Sequence, residues 1–76
     1  MSDDEALKHI SKNVALLRGS RSRSWLAREV GSYPINITRI ERGEHMPSAG
    51  LISRLADALE VSVDYLLSGH RKKSSG

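Results

Sequence analysis

The chain has 76 residues, no cysteine and a formal net charge of +3 at pH 7. This length is that of one small domain, and it excludes a large enzyme with its own cofactor domain. Without cysteine there is no disulfide framework and no cysteine-based zinc site, so an aliphatic core must stabilise the fold. The apolar residues are mainly Leu, Ile, Val and Ala, and the aromatic residues are Trp25, Tyr33 and Tyr65.

The N-terminal segment indicates where the protein acts. Residues 1–5 read Met-Ser-Asp-Asp-Glu, which is acidic, whereas a signal peptide begins with basic residues. No apolar run approaches the ~18 residues that a transmembrane helix needs. We therefore expect a soluble, cytoplasmic protein with no membrane partner.

The positive charge is concentrated in one part of the chain. Residues 18–42 contain six arginines and two glutamates, whereas residues 43–69 carry a net charge of −3. The terminal residues 70–76 add three basic side chains. A concentrated basic segment is typical of a protein that binds a polyanion, usually a nucleic acid. A solvated basic surface is the alternative explanation of the same pattern.

Five helices and no strand are expected, because runs that alternate apolar and polar residues are missing. The first is predicted at about residues 3–18, after a capping-box pattern that begins at Ser2. Apolar residues recur along it at helical spacing, namely Leu7, Ile10, Val14 and Leu17. Gly19 then suits the end of a helix.

Two short helices are predicted next, at about residues 23–30 and 34–42. Ser22 can cap the first of them, and Gly31 can end it and tolerate a left-handed backbone in the turn. Ala27 is small enough to let the two helices cross closely. The side chains expected to face the core are Leu26, Ala27, Val30, Ile37 and Ile40.

Two more helices complete the predicted domain. Ser48 can cap a fourth helix at about residues 49–59, and Ser62 can cap a short fifth helix at 63–67. The fourth is expected to bury Leu51 or Ile52, together with Leu55, Ala56 and Leu59. Residues 1–69 thus form the predicted domain, and residues 70–76, which contain no apolar residue, are expected to be a flexible basic tail or linker.

The segment 23–42 has the properties of a helix-turn-helix, a unit that places its second helix in the major groove of DNA. The order of the motifs resembles the Cro/XRE-type helix-turn-helix domain of phage repressors over about residues 10–69. The similar stretches are Leu26 to Gly31, Ile37 to Gly43, Pro47-Ser48, Leu55 to Leu59 and Val61 to Gly69. The resemblance implies an all-α, lambda repressor-like fold of five helices. It also implies a transcriptional repressor that binds palindromic operators in double-stranded DNA as a dimer in a bacterial host, without a cofactor.

The chain departs from the family pattern at several positions. The link before Leu26 is two residues shorter than usual, so the pattern assigns no role to Arg18. Tyr33 stands where Ser or Thr usually caps the recognition helix, and Glu60 replaces a common Gly. These changes affect caps and helix tilt, and none removes a residue expected in the core.

The resemblance assigns base contacts to the exposed side of the third predicted helix. The expected residues are Tyr33, Pro34, Ile35, Thr38 and Arg39. An arginine at position 39 can make a bidentate contact with guanine, and Ile35 can contact a thymine methyl group. The alternative for Arg39 is a surface ion pair, and the alternative for Ile35 is a place in the core or in a hydrophobic staple.

A second group of residues resembles the phosphate contacts of the family. The expected residues are Arg21, Ser22, Arg23, Asn36 and Arg42, with a solvated basic surface as the alternative. Trp25 is expected to pack on the first helix or lie against the DNA backbone. Glu41 is expected to make a structural contact with the turn or with Arg28. Since the three histidines lie far apart in sequence, we expect no metal site.

The end of the domain is expected to mediate a weak homodimer that forms on DNA. The fifth helix is too short to bury all of its apolar residues, and the expected contacts are Val61, Val63, Tyr65 and Leu67. Two other functions remain open. The chain can be an antitoxin or adaptor whose main partner is a protein, or the DNA-binding part of a longer repressor with a C-terminal autopeptidase domain.

Overall fold

The computed structural model describes residues 3–68 and contains five helices, with no strand in that range. The helices are α1 (Asp3–Arg18), α2 (Arg23–Val30), α3 (Pro34–Glu41), α4 (Ala49–Leu59) and α5 (Val63–Ser68). The predicted all-α fold is confirmed, and the helix bounds agree to within one residue. The predicted capping residue Ser2 and the predicted tail 70–76 lie outside the described residues. None of the helices is long and apolar enough to cross a membrane.

Serine side chains begin three of the helices, as the sequence predicts. The Oγ atoms of Ser22, Ser48 and Ser62 each accept a hydrogen bond from the backbone N–H three residues later, at 2.9, 3.2 and 3.0 Å. Each bond satisfies an N–H group that has no partner within its own helix. At the other end of α2, Gly31 has φ 69°, and the Ser32 N–H bonds back to a carbonyl of the helix at 2.8 Å. These local bonds determine the three-residue turn between α2 and α3.

All five helices contribute side chains to one aliphatic core. α1 packs against α3, α4 and α5, while α2 packs against α3 and α4. The large side chains that are fully buried are Ile10, Val14, Leu26, Val30, Ile37, Ile40, Leu55 and Leu66. Leu51 and Ile52 are both buried, as is the small Ala27 of α2. The expected core is therefore confirmed for α2, α3 and α4.

Ile10 and Val14 of α1 are fully buried, and the other apolar residues at helical spacing are less so. Leu7 and Leu17 are only half-buried, whereas Ala6 and Asn13 are buried. The Asn13 Nδ2 group donates to the backbone carbonyls of Tyr65 and Leu66 at 3.1 and 3.3 Å. A buried amide is tolerated because these carbonyls, near the end of α5, take up its hydrogen bonds. Asn13 therefore attaches α5 to α1.

The residue that ends α4 has an unfavourable backbone conformation. Glu60 has φ 61° and ψ 43°, and it is the one non-glycine residue with positive φ among residues 3–68. Its N–H bonds to the Asp57 carbonyl at 3.2 Å, and the Val61 N–H bonds to the Ala56 carbonyl at 3.0 Å. A left-handed backbone costs ~1–2 kcal/mol for a residue with a Cβ, which glycine avoids.

We expect Glu60→Gly to increase the free energy of unfolding by about 1 kcal/mol, because it removes this conformational cost. In a domain of this size that change raises Tm by ~4–8 °C, measurable by thermal unfolding followed by circular dichroism. Glu60→Ala is the matched control, because it removes the same charge and keeps the Cβ. An equal gain in Glu60→Ala would attribute the effect to charge and contradict the conformational explanation.

Candidate nucleic-acid interface

A glutamate at the end of α3 connects three helices. Arg18, the last residue of α1, donates from Nε and Nη2 to the two carboxylate oxygens of Glu41, at 2.6 and 2.9 Å. Arg23, the first residue of α2, donates from Nε to Glu41 Oε1 at 3.0 Å. The side chain of Glu41 is only 3% exposed, compared with 17% for Arg18 and 46% for Arg23. The carboxylate is therefore enclosed by two arginines.

The protonation of Glu41 reflects two opposing effects. Burial by itself raises the pKa of the Glu41 carboxyl, but the hydrogen bonds and charges of Arg18 and Arg23 together lower it below its ordinary value. The same ion pair raises the pKa of Arg18. The carboxylate is thus charged at neutral pH, as an acceptor for two guanidinium groups requires.

Two hydrogen bonds to backbone carbonyls extend the network around Glu41. The Ser11 hydroxyl of α1 donates to the backbone carbonyl of Glu41 at 2.5 Å, and Arg18 Nη1 donates to the Arg21 carbonyl at 2.7 Å. The sequence predicts a structural role for Glu41, but the partners of Glu41 are Arg18 and Arg23 and not Arg28. No local signal points to the Arg18 pair, because its two residues are 23 positions apart.

The expected base-contacting residues lie mostly on the exposed side of α3. Tyr33 is 70% exposed and Ile35 is 56% exposed, so Ile35 is not part of the core. Pro34 and Arg39 are exposed as well, and Thr38 is half-buried. Ile37 and Ile40, on the other side of the helix, are fully buried. These residues therefore share one surface. Its side chains are mainly apolar at the start of the helix, and Arg39 follows further along.

The expected phosphate-contacting residues differ in the hydrogen bonds that their side chains make within the domain. Ser22 caps α2 through its Oγ, and Asn36 Nδ2 donates to Ser32 Oγ at 3.1 Å. Arg23 is bound through Nε to the Glu41 carboxylate. Arg42 is exposed, and no hydrogen bond or ion pair of its side chain occurs within residues 3–68.

The Arg21 side chain already makes contacts within the domain. Its Nε and Nη2 groups donate to the backbone carbonyls of Arg18 and Leu17, at 3.4 and 3.2 Å. Its guanidinium lies 4.0 Å from the centre of the Trp25 ring, in a cation–π contact. Trp25 is half-buried and packs against the core. Arg21 thus satisfies the last carbonyls of α1, where a positive charge is favoured.

The expected dimer residues also separate into two groups. Val61 and Leu67 are half-buried and pack against the core of their own domain. Tyr65 is half-buried, and Val63 is exposed at 37%. Leu16 of α1, which is 66% exposed, is a further exposed apolar residue and was not among the predicted contacts.

We expect Glu41→Gln to lower the free energy of unfolding by about 2–4 kcal/mol at pH 7, because Arg18 then keeps its charge without an anionic partner. The folded-state pKa of Glu41 lies below its unfolded value of ~4.3, so its stabilisation is present above that value and is lost as the pH falls through the folded pKa. The difference between wild type and variant should therefore shrink towards acidic pH in thermal unfolding experiments.

Glu44→Gln is the control for this prediction, because it removes the same charge from an exposed side chain that follows α3 by three residues. It should change stability by less than ~0.5 kcal/mol. Equal losses in the two variants at pH 7 would contradict a special role for the Glu41 carboxylate.

Comparison with known proteins identifies the architecture. A family model described as helix-turn-helix matches residues 14–66. The structure is similar to the P22 c2 repressor protein in complex with synthetic operator 9T in the presence of Tl+. That pair is 28% identical with a TM-score of 0.78, covering 80% of this chain and 96% of that chain. The hypothetical transcription factor NHTF from Neisseria is 25% identical with a TM-score of 0.75, covering 88% of this chain and 79% of that chain.

The solution structure of the DNA-binding domain of the P22 c2 repressor is also similar. It is 25% identical with a TM-score of 0.64, and the match covers 99% of this chain and 92% of that chain. No curated protein sequence matches the chain. The matched segment contains the whole of α2, α3 and α4. The chain therefore belongs to the helix-turn-helix family, and its resemblance to the Cro/XRE-type domains of phage repressors is confirmed.

Proposed function

We propose that this protein binds double-stranded DNA sequence-specifically as a phage-type transcriptional repressor, with α3 in the major groove. The main support is the exposed side of α3. Tyr33, Ile35 and Arg39 are exposed there, and the other side of the helix is buried. A relative of the same fold was solved with a synthetic operator. We infer that it acts in the cytoplasm of a bacterial cell, as a regulator rather than an enzyme.

Base recognition on this proposal combines polar and apolar contacts. Arg39 is exposed and makes no ion pair within residues 3–68, so its guanidinium is available for the N7 and O6 atoms of guanine. Tyr33, Pro34 and Ile35 supply an apolar surface at the start of the helix, suited to thymine methyl groups. Thr38 lies between these groups in the sequence and can donate or accept a hydrogen bond.

Phosphate contacts on this proposal come from both ends of the helix-turn-helix. Ser22 and the N-terminus of α2 present donors to one strand of the DNA backbone. The Nε of Arg23 is bound to Glu41, and its Nη groups can still reach a phosphate from a side chain that is 46% exposed. Arg42 and Asn36 complete the group. Arg21 contributes through its charge, since its nitrogens already cap α1.

Selection from a pool of random duplexes tests the proposal directly. The full chain should enrich one sequence class, and its affinity should fall as salt rises from 50 to 200 mM because phosphate contacts release counterions. Enrichment of no sequence, or affinity that does not change with salt, would contradict the proposed function.

Two arginine substitutions should have different effects on binding. Arg39→Ala should cost ~1–3 kcal/mol on the selected duplex and relax the preference at one base pair. Arg42→Ala should weaken binding to all sequences about equally and reduce the salt slope by roughly one unit. Fluorescence anisotropy titrations at several salt concentrations measure both effects. The opposite pattern would exchange the roles of the two residues.

We also propose that the protein pairs on DNA as a weak homodimer. One recognition helix contacts too few base pairs to select a site in a genome, and dimers of this class place two such helices ~34 Å apart. Val63, the exposed apolar residue of α5, supports a contact at this end of the domain, next to the half-buried Tyr65. Val61 and Leu67, which pack on their own core, contribute at its edge.

Val63→Glu should abolish cooperative binding to a palindromic duplex and leave affinity for a half-site nearly unchanged. Ser53→Glu is the control, because it adds the same charge at an exposed position of α4. Titration of full and half sites, with sedimentation of the free protein, measures the effect. Cooperativity equal to that of wild type would place the dimer contact elsewhere or show independent monomers.

A further inference from the structure

An arginine outside the helix-turn-helix is bonded to the end of α2, where the turn begins. Arg54 of α4 donates from Nε to the backbone carbonyl of Val30, the last residue of α2, at 2.9 Å. Its Nη1 atom lies 3.5 Å from the position that a Cβ of Gly50 would occupy, so the guanidinium runs back along α4. The bond joins residues that are 24 positions apart.

The Val30 carbonyl lies where the chain leaves α2 for the turn that leads to α3. The N–H groups of Gly31 and Ser32 bond to the carbonyls of Arg28 and Ala27, and these bonds close the end of α2. They leave the Val30 carbonyl at the start of the turn, and α3 starts at Pro34, four residues after Val30. A positive side chain at a helix C-terminus also interacts favourably with the helix dipole. Arg54 therefore fixes the α2 end of the turn to α4.

The surroundings of Arg54 make it a poor phosphate ligand. It lines a surface cleft together with Glu29, Asp57 and Ala58. Glu29 and Asp57 give this cleft negative charge, which opposes the approach of a polyanion. Arg54 also lies outside residues 18–42, the segment in which the other arginines of the domain are concentrated. Arg54 is exposed, and its Nε is already bonded to the Val30 carbonyl.

We propose that Arg54 is a positioning residue for DNA recognition. By holding the Val30 carbonyl, it sets the direction in which the turn leaves α2 and hence the placement of α3 in the major groove. This inference rests on the proposed function. The proposed DNA-contacting residues lie within residues 21–42, and Arg54 acts on them through the backbone of the turn.

Salt dependence separates positioning from phosphate contact. Arg54→Ala should weaken binding to the duplex selected by wild type ~5- to 20-fold at a temperature where the variant is fully folded. The slope of log affinity against log salt should equal that of wild type, whereas Arg42→Ala should reduce it by about one. Lys8→Ala, which removes one charge from an exposed position of α1, is the control for net charge.

Two results of this titration would overturn the proposal. Unchanged affinity would limit Arg54 to the stability of the fold, and a slope reduced by about one would make it a phosphate contact. A loss in Lys8→Ala equal to that in Arg54→Ala would attribute the effect to net charge. If wild type selects no duplex at all, the proposed function fails, and the experiment below still tests the positioning role.

Amide hydrogen exchange of the free protein tests the same role without DNA. In Arg54→Ala, exchange should become at least several-fold faster at two amides beside the turn. The Ser32 amide bonds to the Ala27 carbonyl at the end of α2, and the Asn36 amide bonds to the Tyr33 carbonyl at the start of α3. Amides in the middle of α1 should exchange as in wild type. Unchanged exchange at the turn, or an equal acceleration throughout the domain, would overturn the proposal.

Discussion

A buried carboxylate needs cationic partners, and the position of Glu41 follows from that requirement. Transfer of an unpaired charge into a protein interior costs several kcal/mol, so Glu41 is compatible with its place only when Arg18 and Arg23 surround it. These three residues come from the end of α1, the start of α2 and the end of α3. Satisfying one charge therefore fixes three helix ends relative to each other. The Ser11 bond to the Glu41 backbone adds a second connection between α1 and α3.

The placement of α3 depends on constraints at both of its ends. At its C-terminus the Glu41 network holds it to α1 and α2. At its N-terminus, Gly31 ends α2 and the turn follows, with Arg54 bonded to the Val30 carbonyl. Between them, Ile37 and Ile40 are fully buried. A helix of eight residues has little stability of its own, so tertiary contacts must keep it in one orientation. Such an orientation is what base contacts in a groove require.

The arginines of this domain serve different purposes despite their common charge. Arg18 is bonded to the enclosed Glu41 carboxylate and Arg54 to the Val30 carbonyl, while Arg21 caps the end of α1 and contacts the Trp25 ring. Arg39 and Arg42 are exposed and make no ion pair in the described part of the chain. The basic segment therefore includes arginines whose side chains are already bonded within the fold. A salt slope counts only the arginines that reach phosphates, which makes it an informative measurement for this protein.

Local patterns in the sequence by itself determined the five helices, their serine caps and most of the core. Spacing of apolar residues, a capping hydroxyl and a turn glycine act within a few residues, so Ser22, Gly31, Ile37 and Ile40 were predicted correctly. The order of motifs was also sufficient to indicate the family. Only the tertiary structure decided which charged and polar groups meet. Glu41 with Arg18, Arg54 with Val30 and Asn13 with α5 join positions 23 to 53 residues apart. No local pattern encodes these pairs, because they form only when packing brings distant helix ends together.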